Sequence, residues 1–393
     1  PRYSVPHVKW DEEAIMGRVS FALISAFSIV AFTQIASAAD MPVKAPAPAP
    51  QLGGSFWAEA EYLYWQTKGD RLPALVTTGV TGVLGAPGTS VLFGQSTVNE
   101  DWRSGVRVRA GYWLDPTRNM GIEAHFFGLE NASTNFFASS SGTPLLARPF
   151  FNTTINAQDA MLIAAPGIAA GQVSANETSR LLGAGIAFRK QLCEACALGP
   201  IAGIVGYRYV HLRDELGISS SINAAQLATA FAASDQFETR NDFHGLDLGV
   251  TGLIASGPWR FEWLAKVALG ATFTNIAVNG STTISAGGIT TTAPGGLLAL
   301  PTNMGNFNNE RLSVVPELDA RISYQFSPQL RAVVGYNFMY WTGVVRPGGV
   351  IDTTVNPTQI PPGTLVGTAR PAPKADTSDF WAHGVSVGLA YSF

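Results

Sequence analysis

The feature that most constrains this chain is alternation. From Ser55 to the carboxy terminus, stretches of about ten residues place apolar side chains at every second position, with ions or glycines between them. In residues 56–65, Phe56, Ala58, Ala60, Tyr62 and Tyr64 share one parity and Glu59 and Glu61 the other. In residues 103–113, Ser104, Val106, Val108, Ala110 and Tyr112 oppose Arg103, Arg107 and Arg109. Successive side chains of a strand point to opposite faces, so each stretch predicts a strand with one apolar and one ionic face. The same reading applies to residues 121–130 (Ile122, Ala124 and Phe126 against Glu123 and His125) and 182–188 (Leu182, Ala184, Ile186 and Phe188 against glycines). It also covers residues 201–209 (against Arg208), 244–251 (against Asp247) and 259–269 (against Arg260, Glu262 and Lys266). Residues 312–326 set Leu318, Ala320, Ile322, Tyr324 and Phe326 against Glu317, Asp319 and Arg321; residues 330–340 oppose Arg331 and Asn337, and residues 381–393 complete ten strands.

Only 13% of the 393 residues are charged, although the hydrophobic share, 46%, is ordinary. A soluble globular protein carries about 25% charge, so much of this surface faces something other than water. Outside the first 40 residues no apolar run reaches the roughly 18 residues of a membrane-spanning helix, which excludes a helical membrane protein. A net charge of −3 and a pI near 6.0 exclude an electrostatically driven nucleic-acid partner.

Connections alternate in length. Short ones fall at residues 115–118, 191–200, 255–258 and 327–329; long ones at 66–101, 131–177, 213–242, 275–310 and 343–379. That pattern predicts an all-β fold: a transmembrane antiparallel β-barrel of ten strands, with short periplasmic turns and long extracellular loops. Twelve strands is the alternative if the 131–177 connection hides a hairpin. A lipid-facing apolar surface is favoured over a soluble sandwich because aromatics (Phe56, Tyr64, Tyr112, Trp259, Tyr324, Tyr340, Tyr391, Phe393) gather near strand ends, as in the girdles flanking a hydrocarbon band. The chain ends Leu389, Tyr391, Phe393 at two-residue steps, like the terminal signal that the outer-membrane barrel-assembly machinery recognises.

At the amino end, residues 19–35 are apolar, follow Arg18 and precede Ala36-Ser37-Ala38, the three-part pattern of a secretory signal. The expected organisation is an upstream extension at 1–15, a signal peptide at 16–38, a proline-alanine periplasmic leader at 39–53 and the barrel at 54–393.

The lumen-facing set is then Glu59, Glu61, Arg103, Arg107, Arg109, Glu123, His125, Arg208, Asp247, Arg260, Glu262, Lys266, Glu317, Asp319, Arg321 and Arg331. A ten-stranded barrel is little wider than the eight-stranded ones that side chains fill, so these charges are expected to pair as a ladder closing the lumen. A narrow path for ions or small solutes is the functional counterpart. The long connections are unusually apolar at residues 83–94, 144–151, 161–170 and 295–301, and are expected to pack over the mouth or fold inward; residues 224–235 are alanine-rich enough for a short helix. Cys193 and Cys196 lie in a short turn without the strand-helix context of a redox motif, and are expected to form a local disulfide. Nothing calls for a catalytic residue, a cofactor or a metal. An outer-membrane hydrolase with His211, Asp214, Asp242 and His244 at its rim is the remote alternative, and a surface receptor or adhesin is another. Expected partners are outer-membrane lipid, the assembly machinery during biogenesis, and small solutes or a surface ligand, with no nucleic acid; a monomer is favoured.

Residues 60–69, 83–94, 111–115, 146–152, 237–245, 298–303 and 340–348 together resemble, in order, the Putative beta-barrel porin family seven. The similarity runs from about residue 54 to 393. It implies an outer-membrane barrel of unassigned molecular function, and it brings no catalytic motif.

Overall fold

Ten strands hydrogen-bond side to side and return to the first, closing a ring. They are β1 (Phe56–Thr67), β2 (Trp102–Trp113), β3 (Met120–Leu129), β4 (Ala170–Cys196), β5 (Gly199–Ala224), β6 (Thr229–Ser256), β7 (Trp259–Ala286), β8 (Gly305–Gln325), β9 (Leu330–Val345) and β10 (Thr377–Ser392). The computed structural model describes residues 56–196 and 199–393, so the expected extension, signal and leader lie outside the described residues. Every ring pairing is antiparallel, and β1 meets both β2 (Glu61↔Arg107) and β10 (Tyr62↔Val387). Closure leaves no free sheet edge, the condition for crossing lipid with strands.

Each of the ten strands exposes a large apolar side chain on its outer face: Tyr62, Val108, Phe126, Ile186, Val205, Leu246, Leu269, Leu318, Val334 and Val387 in ring order. Aromatic contacts bound this band at both edges, with Phe56–Phe393 at 5.2 Å and Trp259–Tyr324 at 4.9 Å near the short turns, and Tyr64–Trp102 at 5.0 Å and Trp381–His383 at 5.1 Å on the loop side. Such a belt is unstable against water, at about 25 cal/mol per Å² of apolar surface, and stable against hydrocarbon.

The strands are unequal. β4 to β8 hold 27, 26, 28, 28 and 21 residues, whereas β3 holds 10 and β1 and β2 hold 12 each. A spanning strand needs about 9–11 residues, so β4 to β8 continue well beyond the lipid on the loop side. This corrects the long connections expected at 131–177, 213–242 and 275–310, much of which is strand. The residues explain why: above the band the polarity inverts. On β5, Val205, Tyr207 and Tyr209 face out, but Leu212, Leu216 and Ile218 are buried inward while Arg213, Glu215 and Ser219 are exposed. A parity switch in mid-strand reads, in sequence, as the end of a strand.

Other boundaries move for similar reasons. The pairs Cys193↔Ile201 and Cys196↔Gly199 carry β4 and β5 almost to their junction, so the expected 191–200 turn shrinks to residues 197–198, outside the described residues. The helix expected at 224–235 is a 3-10 turn, Ala225–Leu227, followed directly by β6, whose Ala230 and Ala232 register with Ser285 and Thr283 of β7. Strand Ala132–Ser140 continues the wall beside upper β4, while Leu146–Asn152 and Ala157–Ala164 pair in a separate small sheet with Val76–Thr78 and Ser90–Phe93. The ring therefore stays at ten.

Candidate functional site

The lumen is layered. Nearest the short turns lies an ionic layer. Cross-strand register sets Glu61 opposite Arg107 and Lys266 opposite Glu317, but the ion pairs reach further than a ladder. Arg107 binds Glu61 of the neighbouring β1 at 2.5 Å and Asp319 at 3.5 Å, and Arg109 binds Asp319 at 2.7 Å; β1, β10 and β9 separate both arginines from Asp319 around the ring. Arg321 joins Glu59 at 2.7 Å and Glu262 at 2.9 Å, and Arg331 meets Glu262 at 3.3 Å. Arg208 pairs with Asp247 at 3.2 Å and with Glu317 two strands further on, and Lys266 reaches Asp247 at 3.1 Å. These are struts across the lumen. Asn337 donates to Asp319 at 2.8 Å and Ser386 to Glu61 at 2.8 Å, filling acceptor positions that buried carboxylates need satisfied. A cavity of about 170 Å³ remains, lined also by Glu123, His125, Arg260 and Arg189, whose guanidinium lies 5.5 Å from the Trp113 ring.

Above the ions lies an apolar layer to which every strand except β2 contributes, including Leu63 and Trp65, Phe127, Leu181, Leu212, Phe243, Ala268, Val315, Trp341 and Phe380. None of these ten is more than 7% exposed, so no aqueous film crosses at this level. Trp65 and Phe127 stand 5.4 Å apart and Phe243 and Trp341 6.1 Å, and the Trp341 indole donates to Thr272 at 2.9 Å. Gly183 makes the crossing possible on β4: a Cβ there would sit 2.3 Å from the Phe127 ring. An ion entering such a layer sheds water among side chains that are mostly apolar, with few polar atoms to replace its hydration.

Above the apolar layer, loop segments fill the interior of the extended wall. Arg346 binds Asp214 through Nε and Nη2 at 2.8 and 3.2 Å and donates to the Lys68 carbonyl at 2.7 Å, while Asp70 accepts from the Gly348 amide at 2.7 Å. Burial pushes the nearby Glu177 carboxyl up to about 9, with Asp70 adding to the shift, so it is protonated at neutral pH. Burial works against the Arg346 charge, and Asp214 and Asp70 overcome it, raising its pKa. Higher still, fully buried Arg148 pairs with fully buried Asp235 at 2.6 Å, and the other Asp235 oxygen accepts from the Leu297, Leu298 and Ala299 amides at 2.9, 2.9 and 2.7 Å. Gly296 permits that approach, since a Cβ there would lie 2.3 Å from the carboxylate. Leu72, Leu75, Phe150 and residues 297–300 pack against Val173, Leu216, Phe237 and Ile276 of the wall.

Of the residues expected to face the lumen, Arg103 belongs to the upper interior, donating to the Ser179 and Asn99 carbonyls at 3.3 Å; the others lie buried or half-buried on the inner face. Of the apolar connection segments, residues 146–147, 163–165 and 297–300 are buried, but residues 83–92 stay half-exposed or exposed. Cys193 and Cys196 are disulfide-bonded. The four rim residues do not assemble. His211 contacts Asp242 at 2.8 Å on the outer face and His244 contacts the Tyr207 hydroxyl at 2.5 Å, whereas Asp214 faces inward to Arg346. Sequence reasoning missed Arg148, Asp235, Arg346, Asp70, Glu177 and Arg189, and named Asp214 only as a rim residue. The available signal was that Arg148 and Arg346 are lone charges inside apolar family-like stretches.

A family model described as Putative beta barrel porin-7 (BBP7) matches residues 57–393. Among solved structures, the chain is similar to the P. putida toluene transporter TodX (10% identity, 88% of this chain and 90% of that one, TM-score 0.19). It is also similar to an anion-selective porin from Comamonas acidovorans (10% identity, 86% and 98%, TM-score 0.19) and a Pseudomonas aeruginosa FadL homologue (6% identity, 86% and 89%, TM-score 0.22). No curated protein matches the sequence.

Proposed function

This chain belongs to the Putative beta barrel porin-7 (BBP7) family, and from that premise we propose an outer-membrane barrel that is closed to ions at rest and acts as a surface-exposed structural or binding scaffold. The apolar layer spanning nine of the ten strands carries this reading, because an ion cannot cross it hydrated. The filled interior above supports it. Leu389, Tyr391 and Phe393 are exposed, which supports reading this end as an assembly signal.

The test is conductance of the purified protein in planar bilayers. The wild type gives no steps, and Phe243→Ala combined with Trp341→Ala introduces a leak. Stable single-channel steps in the wild type would overturn the reading and favour a second one, a narrow ion path, which the charged cavity below the apolar layer supports. A hydrolase at the rim finds less support, since Asp214 is committed to Arg346 on the face opposite His211 and Asp242.

A further inference from the structure

Three arginines on neighbouring strands share one level of the outer wall. Register pairs Arg180 of β4 with Arg213 of β5, and Arg213 with Arg240 of β6. All three are exposed. The next outward positions toward the lipid are Leu182, His211 and Asp242, so the row stands at the upper edge of the apolar band. With Tyr209 and Glu238 these residues line a depression in the outer face.

Like charges directly opposite on adjacent strands repel, so such a row is stabilised by an anion placed among them. The wall sets three carboxylates against the three guanidiniums, but all of them sit on Arg213 and Arg240 and none on Arg180. Arg213 meets Glu215 at 2.5 Å and Glu238 at 2.9 Å, and Arg240 meets Asp242 at 2.7 Å. Asp242 is already shared with the Tyr209 hydroxyl at 2.6 Å and with His211. The Arg180 guanidinium has no ion pair or hydrogen bond among the described residues. Each guanidinium carries five N–H donors, and most of the row's donors are therefore unused. The two carboxylates Glu215 and Glu238 oppose each other one row higher, away from the lipid. From lipid to water on β5 and β6 the outward order runs from the Tyr207 and Leu246 level, through His211 and Asp242, to the arginines and then Glu215 and Glu238. Elsewhere just above the band the exposed charges include the acids Glu100, Asp101, Glu130, Glu310 and Asp379, with Arg311 standing singly beside Glu310 on β8, so the row of three neighbouring cations belongs to the β4–β6 sector.

We propose that Arg180, Arg213 and Arg240 bind the phosphate of an outer-leaflet glycolipid headgroup and hold one such lipid on the β4–β6 sector. Phosphate lies at the height where hydrocarbon ends, and guanidinium forks match its oxygens. The acyl chains of that lipid would lie along Leu182, Ile186, Tyr207 and Leu246, which are on the same outer face. This inference rests on the barrel's placement in the outer membrane and not on whether it conducts.

The experiment is native mass spectrometry of the full chain in detergent, titrated with bisphosphorylated lipid A and with the same lipid enzymatically dephosphorylated. The wild type retains one phosphorylated lipid in preference. Arg180→Gln weakens retention about fivefold and Arg180→Gln with Arg240→Gln about 25-fold, at about fivefold per interfacial cation. Arg180→Gln breaks no ion pair in the wall, so its fold is unaffected; heat-modifiable gel migration verifies this for both variants. Equal retention of the dephosphorylated lipid, unchanged retention by the variants, or displacement of the lipid by inorganic phosphate at the same concentration would each overturn the proposal.

Discussion

Asp235→Asn tests whether the interior segments are locked to the wall by one carboxylate. In the native structure both oxygens are engaged, one by Arg148 and one by three successive backbone amides. Neither charged side chain is exposed to water, and Arg148 Nε and Nη1 have no other partner. The substitution keeps the shape but leaves Arg148 as an uncompensated buried cation and offers the amides a weaker acceptor. Removing one partner of a buried pair costs about 3–5 kcal/mol. The cost falls on the docked segment rather than on the ring, whose strand ladder is untouched. Hydrogen exchange of the Leu297, Leu298 and Ala299 amides should therefore accelerate by about two to three and a half orders of magnitude, at about 1.4 kcal/mol per tenfold. Gel migration of the barrel stays heat-modifiable. Arg148→Met in the same chain removes the stranded cation and recovers part of the protection. Unchanged exchange in Asp235→Asn would refute the reasoning, because the carboxylate would then be a passenger.

Two further outcomes follow from buried charge. Glu177 binds a proton in the folded state up to about pH 9, whereas the unfolded carboxyl releases it near 4.5. Its contribution is thus fully present below 4.5 and is lost as pH rises toward 9, with a slope of at most ~1.4 kcal/mol per pH unit; Glu177→Gln should flatten the pH dependence of urea midpoints in micelles across that window and raise stability more at pH 8 than at pH 5. Arg107→Gln breaks struts to Glu61 and Asp319 and should destabilise the barrel by about 3 kcal/mol, since Arg109 keeps a hold on both acids. Adding Glu61→Gln should restore part of this, and the temperature at which gel migration shifts measures both.

Where outer and inner faces differ in a constant sense, the residues were enough: Phe56 to Trp65 against Glu59 and Glu61 predicted both a strand and its lumen face, and the Glu61–Arg107 facing followed from antiparallel neighbours. The extended wall was hidden because its outward residues, such as Gln172, Ser174 and Asn176, look like loop while its inward Val173 and Ala175 reverse the parity of Ile186 and Phe188. Cross-lumen struts escaped for a different reason. Register names neighbours along a sheet, but it cannot say which strands a ring's curvature brings face to face, so Arg109 meeting Asp319 needed three dimensions. The Arg148–Asp235 contact is also beyond reach, because it joins a connection to a wall position 87 residues away.

The unequal strands bear on reach. Above the level of Arg240, β6 and β7 continue for roughly ten residues, which at a tilted rise near 2.5 Å per residue lifts their tips about 25–30 Å clear of the lipid. The short strands β1, β2 and β3 end near the bilayer surface, so the rim is oblique, like a cut quill. Gly287 and Gly288, at the β7 tip, would meet no neighbouring atom with a Cβ added. A macromolecule approaching the barrel from the loop side meets those tips long before it meets the interior, which makes them the natural place to insert an epitope.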